Sequence, residues 1–181
     1  MNIELGCGNN PIKRNTPDVK QRKIDYRIDV LYSVCGNLHV DIVSNVSYLP
    51  LLNNSVDCFV SQHIIEHFDH KARDTYRPSG LLCFIREIYR SLKPGGHYET
   101  MSPNFAFIAR EYCTRGYVDP QYAYTLMQWA MGGQSNEWDY HYVLLDFNIL
   151  KMFATQAGFK PEKITLLHPI DWFGLHVKME K

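Results

Sequence analysis

The chain has no excess charge of either sign: 19 lysines and arginines stand against 19 aspartates and glutamates. No global field therefore draws it to a nucleic acid or an acidic membrane surface. It has no C-x-x-C pair, and its five cysteines, Cys7, Cys35, Cys58, Cys83 and Cys113, are scattered and odd in number. That argues against disulfide and zinc-ribbon frameworks and leaves thiols suited to a reducing compartment. No apolar run approaches the ~20 residues that span a bilayer. Met1-Asn2-Ile3-Glu4 lacks the basic head and apolar stretch of a secretion signal. Repeats, low-complexity tracts and linkers are missing too. The expectation is one cytoplasmic domain over residues 1–181, with no membrane and no nucleic acid as partner. A chain of this length buries about 70% of its unfolded surface, enough for a core without a structural metal.

What is present is a succession of strand and helix signals. Asn2 to Leu5 reads as a strand stopped by Gly6-Cys7-Gly8, and Ile24, Tyr26, Ile28 and Val30 alternate with polar neighbours. Val40–Val43, Val56–Val60, His97–Ser102, Ile164–Leu167 and Leu175–Met179 are further strand candidates. Leu81, Ile85, Ile88 and Leu92 form one helical face, which Pro94-Gly95-Gly96 should end. Leu150, Phe153, Ala154 and Ala157 form another, between Asp146 as N-cap and Gly158 as stop. The pattern predicts an α/β fold: a mainly parallel seven-stranded sheet, helices on both faces, and the last two strands pairing antiparallel at one edge. Residues 105–142 read as an aromatic-rich, cap-like insertion with the least regular pattern.

The first strand ends in a glycine turn, Glu4-Leu5-Gly6-Cys7-Gly8, of the kind that lets a backbone approach a ligand at a sheet's carboxyl edge. Asp29 follows about 20 residues later, the spacing at which a carboxylate reaches ribose hydroxyls. Pro11 stands where a dinucleotide fingerprint would have its third glycine. A pyrophosphate needs free N–H groups at a helix start, so a nucleoside without phosphates fits this turn better.

Four blocks in order carry a resemblance. They are Glu4-Leu5-Gly6-Cys7-Gly8-Asn9-Asn10-Pro11; Leu49-Pro50 with Asn54-Ser55-Val56-Asp57; His63-Ile64-Ile65-Glu66-His67; and Arg86-Glu87-Ile88-Tyr89-Arg90-Ser91-Leu92-Lys93-Pro94-Gly95-Gly96. Together they resemble the class I S-adenosylmethionine-dependent methyltransferases of the methyltransferase domain 11 type, over residues 2 to 104. The resemblance implies a Rossmann-like fold, S-adenosyl-L-methionine as cofactor, S-adenosyl-L-homocysteine as product, and transfer of the methyl to an unidentified small-molecule acceptor. It places Glu4, Gly6, Cys7 and Gly8 at the methionine end and ribose of the cofactor. Asp29 and Val30 come at the ribose hydroxyls, with Asp25 as the fallback if the strand register slips. Asn45, Val46, Ser61, Gln62 and His63 come at the adenine. Two departures, Asn45 where relatives have an acid and no helix before the first strand, keep a non-catalytic binding or interaction module open as the alternative. They also leave room for a homo-oligomer in which a partner subunit completes the site.

His63-Ile64-Ile65-Glu66-His67 also fits the H-x-x-E-H pattern of a zinc peptidase, with Glu137 as a third ligand. It directly follows a strand among methyltransferase blocks, so the expectation is no metal. A hydroxyl or amine acceptor would gain from a base, and His67 and His141 are the candidates because imidazole titrates near neutrality. Gly132-Gly133-Gln134 resembles the tripeptide of translation release factors; the neutral charge balance favours a loop turn instead.

Overall fold

The hydrophobic alternation of the first strand places Ile3 and Leu5 on one face of a sheet, and both are fully buried. A computed structural model describes residues 1–6, 24–29, 40–45, 48–69, 80–135, 139–169 and 171–181. The strands are β1 (Asn2–Leu5), β2 (Tyr26–Asp29), β3 (Ile42–Val43), β4 (Val56–Gln62), β5 (Leu92–Pro103), β6 (Ile164–Leu166) and β7 (Gly174–Glu180). They form one seven-stranded sheet in the order β3-β2-β1-β4-β5-β7-β6. Strands β3, β2, β1, β4 and β5 are mutually parallel, and β7 runs antiparallel to both β5 and β6. The last two strands do pair antiparallel at one side, with β7 inserted between β5 and the edge strand β6. This is a Rossmann-like arrangement. The chain leaves β1 towards β2 on one side and returns to β4 on the other. Such a reversal opens a crevice at the carboxyl ends of the strands, where open α/β sheets take their ligands.

Helix α1 (Leu81–Ser91) forms because Leu81, Phe84, Ile85 and Ile88 make a continuous apolar face, all of it buried. It stops at Leu92, whose extended backbone (φ −65°, ψ 137°) prepares Lys93 for the following Pro94. The helix therefore ends about one turn before the expected stop, and Pro94-Gly95-Gly96 lies inside β5 rather than before it. There the register with β4 jumps from Val56↔Leu92 to Cys58↔His97, an irregularity that Gly95 absorbs at φ +78°. Residues 105–131, read as irregular, are largely helical: α2 (Phe105–Glu111), a π-helical turn (Tyr112–Gly116) and α3 (Pro120–Met131). The overlooked signal is Asp119-Pro120, an N-cap whose carboxylate accepts from Tyr122 N at 3.0 Å, with proline at the first helical position.

Helix α4 (Phe147–Ala157) begins and ends as its sequence indicates. Asp146 accepts from Ile149 N at 2.8 Å, and Gly158 closes the helix in the left-handed region at φ +118°. Helices α1 and α4 pack on each other, and their buried residues join those of β1, β4, β5 and β7 in one core. Phe84 is fully buried in it, stacked on Phe68 at 4.6 Å and edge-on to Tyr98 at 6.0 Å. Burial of each such aromatic contributes on the order of 1.5–3 kcal/mol.

Candidate active site

The parallel register brings four chain segments to one edge. Leu5 pairs with Ile28 and with Ser61, and Asp29 pairs with Val43. Gly6, Asp29, the Ser44–Asn45 step and the Gln62–His63 step therefore lie in a row at the carboxyl ends of β1, β2, β3 and β4. Gly6 N donates to Ile28 O at 2.9 Å, and Ser44 N to Asp29 O at 2.8 Å, which carries the ladder past the strand ends. Gly6 has φ +60°, and a Cβ there would run into the Ile64 side chain. Only glycine combines that backbone with so close a neighbour. Cys7, Gly8, Val30 and Val46 lie outside the described residues.

Asp29 is buried at the carboxyl end of β2. Asp25 lies at the opposite end, where its carboxylate accepts from Asn2 N at 2.9 Å. The strand register thus sets Asp29, and not the fallback, at the crevice. Glu4 is buried on β1 and accepts from Arg27 Nε at 3.0 Å on the neighbouring strand. The Ser61 hydroxyl is turned inwards, at 2.6 Å from Tyr98 Oη and 2.9 Å from Thr100 Oγ1. That leaves the Ser61 backbone, rather than its side chain, at the crevice. Burial raises the Tyr98 phenol well above its ordinary pKa, so it stays a neutral partner in this triplet.

Beyond β4 the chain makes a 3-10 turn, Ile65–His67. His63 precedes it at φ +54° and donates its backbone N–H to Met101 O at 2.8 Å. The two histidines of H-x-x-E-H are consequently not set on one α-helical face, as the zinc-peptidase reading requires. Glu137 lies outside the described residues. His63 Nδ1 lies 3.1 Å from Glu66 Oε1, and this contact raises the imidazole pKa against the opposing effect of partial burial. Glu66 itself is 2% exposed, and its second oxygen, Oε2, is buried without a hydrogen-bond partner.

The Glu66 carbonyl accepts from Tyr142 N at 2.8 Å. This bond draws residues 139–145 across the turn and sets His141 beside His67, with ring centroids 4.9 Å apart and planes inclined by 73°. His67 Nδ1 lies 2.9 Å from Tyr140 O, and His141 Nδ1 lies 3.1 Å from Trp129 O. A carbonyl oxygen only accepts, so both Nδ1 atoms carry the proton, and each Nε2 of the neutral ring keeps its lone pair. Burial pushes the His141 imidazole below its usual pKa, which favours that neutral form. Next to His141 is a cavity of about 10 Å³, lined by Glu66, His141, Trp129, Phe105, Ile108 and Leu145 among others.

Gly132-Gly133-Gln134 is the closing turn of this loop. Gly132 has φ +79°, and Gln134 N donates to Asp139 O at 3.2 Å. The Asp139 carboxylate accepts from Ser135 N at 3.2 Å and Ser135 Oγ at 2.8 Å, bonds that hold its pKa below the ordinary value. Within this turn the tripeptide does structural work.

Residues 3–99, more than half of the chain, match the family model described as a methyltransferase domain. The chain belongs to that family. It is a methyltransferase that uses S-adenosylmethionine. No curated protein matches it by sequence. Among solved structures, an S-adenosylmethionine-dependent methyltransferase from Thermotoga maritima is similar over 99% of this chain and 81% of its own, at 15% identity and a TM-score of 0.61. Human N-acetylserotonin methyltransferase in complex with S-adenosylmethionine is similar over 99% of this chain and 47% of its own, at 15% identity and a TM-score of 0.60. Phosphoethanolamine N-methyltransferase 2 of Haemonchus contortus, also in complex with S-adenosylmethionine, gives 91%, 34%, 17% and 0.53 in the same order. At these identities the likeness is one of fold. The Gly6 cradle and the buried carboxylate of Asp29 at adjoining strand ends suit a nucleoside with a short polar tail. Among the described residues, no helix is long and apolar enough to cross a membrane.

Proposed function

We propose that this methyltransferase acts on a small-molecule acceptor, held between the carboxyl ends of β4 and β5 and the 105–142 cap, within a single domain of residues 1–181. Two of the structurally similar enzymes are named for small-molecule acceptors, N-acetylserotonin and phosphoethanolamine. The observation that carries the reading is the meeting of His67 and His141 beside buried Glu66, just beyond the end of β4. The thiols of Cys83 and Cys113, free among the described residues, support a cytoplasmic setting.

When bound, S-adenosylmethionine supplies an electrophilic methyl group. In this reading Gly6, Cys7 and Gly8 cradle its methionine end, with Glu4 and Arg27 stiffening the strand ends behind the turn. Asp29 and Val30 take the ribose, while Asn45, Val46, the Ser61 backbone, Gln62 and His63 border the adenine. Most of the rate comes from holding the acceptor atom in line with the methyl at ~3 Å. Either Nε2 lone pair of the histidine pair can take the acceptor's proton, a contribution of typically 10²–10⁴-fold. The test is transfer of labelled methyl from S-adenosylmethionine into pools of small metabolites, protein and nucleic acid. Label in the small-molecule pool alone is expected; label confined to protein or nucleic acid would overturn the reading.

A further inference from the structure

We propose that Glu66, His67 and His141 form a binding site for one divalent transition-metal ion of the zinc class, built at the acceptor side of the crevice. The role given to that ion rests on the methyl-transfer reading above. One ligand atom from each of the three residues lies within 4.8 Å of the others. Bonds of 2.0–2.1 Å to a tetrahedral zinc put ligand atoms roughly 3.4 Å apart. Modest rotation of two half-buried imidazoles closes that difference.

Three independent features prepare the set. Both histidines have their Nδ1–H committed to a backbone carbonyl, at 2.9 Å from Tyr140 O and 3.1 Å from Trp129 O. That is the outer-shell bond that fixes a metal-binding imidazole and leaves Nε2 free to ligate. Glu66 contributes a buried oxygen, Oε2, that has no hydrogen-bond partner, while Oε1 is held by His63 at 3.1 Å. A carboxylate oxygen buried without a partner is costly, and a cation is a natural remedy. Finally, the cavity beside Glu66 and His141, at about 10 Å³, has the room of a single small particle.

This set departs from the sequence expectation of no metal, and it is distinct from the linear H-x-x-E-H motif, which would use His63 and His67. His63 orients the carboxylate here, and His141 arrives from a segment more than 70 residues away. Two histidines and one carboxylate leave a coordination position open, as in catalytic zinc sites. An acceptor hydroxyl on that position is polarised and loses its proton more readily. The proton goes to solvent, the oxygen forms the bond to the methyl carbon, and the methyl–sulfur bond breaks to leave S-adenosylhomocysteine. With the ion in place, the histidines act as its ligands rather than as free bases.

The test is zinc chloride added to chelator-stripped, full-length protein, followed by elemental analysis, calorimetry and thermal melting. One zinc per chain is expected, and at about 100 times its Kd the ion should raise the melting temperature by several degrees. His67→Ala and His141→Ala should each weaken zinc by about 100-fold or more, beyond the loss typical of an outer-shell change. His168→Ala, which removes no member of the set, should bind as the wild type does. Absence of stoichiometric zinc, or equal binding by the His141→Ala variant, would overturn the site. S-adenosylmethionine binding is measured on the same stripped samples. If it persists while zinc fails, the metal site alone is refuted; if it is absent, the methyl-transfer reading fails with it.

Discussion

The imidazoles of His67 and His141 meet edge-on, 4.9 Å between centroids, although one follows β4 and the other belongs to the loop before α4. Each is anchored through Nδ1 to a backbone carbonyl, His67 to that of Tyr140 beside His141, and His141 to that of Trp129 on α3. The pair thereby ties the cap helix α3 to the sheet edge. In the proposed reading its two Nε2 lone pairs serve the acceptor rather than the cofactor. Loss of one ring should therefore damage turnover more than cofactor binding.

For His141→Ala, the methyl-transfer rate should fall by roughly 10²–10⁴-fold, the range of a lost acid–base group. Affinity for S-adenosylmethionine should change less than about threefold, because the proposed ribose and methionine contacts are at Gly6 and Asp29. Single-turnover kinetics beside calorimetry separates the two effects. A large loss of cofactor affinity with an unchanged rate would move His141 to the cofactor side.

Gly6→Ala should destabilise the fold by about 1–2 kcal/mol from the left-handed backbone alone, and by more because the new methyl group meets Ile64. Chemical denaturation of Gly6→Ala, Ile64→Ala and the double variant checks this. The double variant should lose less than the sum of the two single losses, since removing Ile64 makes room for the added methyl group. Strict additivity would mean that the two residues do not meet.

The acid limb of stability should include a contribution from Asp57. Its carboxylate accepts from Lys93 Nζ at 2.8 Å, and this bond, aided by the Met1 ammonium, lowers its pKa to about 2. A depressed carboxylate pKa adds stability above the unfolded value, near 3.9, and that stability is lost as pH falls towards 2. Melting temperatures of Asp57→Asn should therefore depend less on pH between about 4 and 2 than those of the wild type. The side chain is exposed, so the difference should shrink in high salt. A difference that appears instead above pH 5 would assign the effect to another group.

The parts of this protein legible in its sequence are those set by neighbours along the chain. The stripe Leu81, Ile85, Ile88, Leu92 describes α1 because a helix repeats its face every three to four residues. Asp146 and Gly158 bound α4 because caps act within one turn. Pro94-Gly95-Gly96 is ambiguous in sequence, because the same residues that stop a helix also fit an irregular strand when β4 offers a partner. The α3 helix hid behind its aromatic, mostly exposed surface, and only Asp119-Pro120 marked its start. Glu66 carries no periodic signal at all. Its importance comes from a backbone bond to Tyr142 and from an oxygen left unpartnered in the interior, both consequences of packing across more than 70 residues.

The central claim is that S-adenosylmethionine binds at the carboxyl ends of β1 and β2, with Asp29 on its ribose. Isothermal titration calorimetry of S-adenosylmethionine against the wild type, Asp29→Ala and Asp25→Ala tests it most directly. Removing a charged partner of the ribose hydroxyls should cost roughly 1.5–3 kcal/mol, so Asp29→Ala should bind about 10-fold more weakly or worse. The wild type should bind one molecule per chain, and Asp25→Ala, altered at the far end of β2, should match it. Absence of binding by the wild type, or equal affinities for the wild type and Asp29→Ala, would contradict the account.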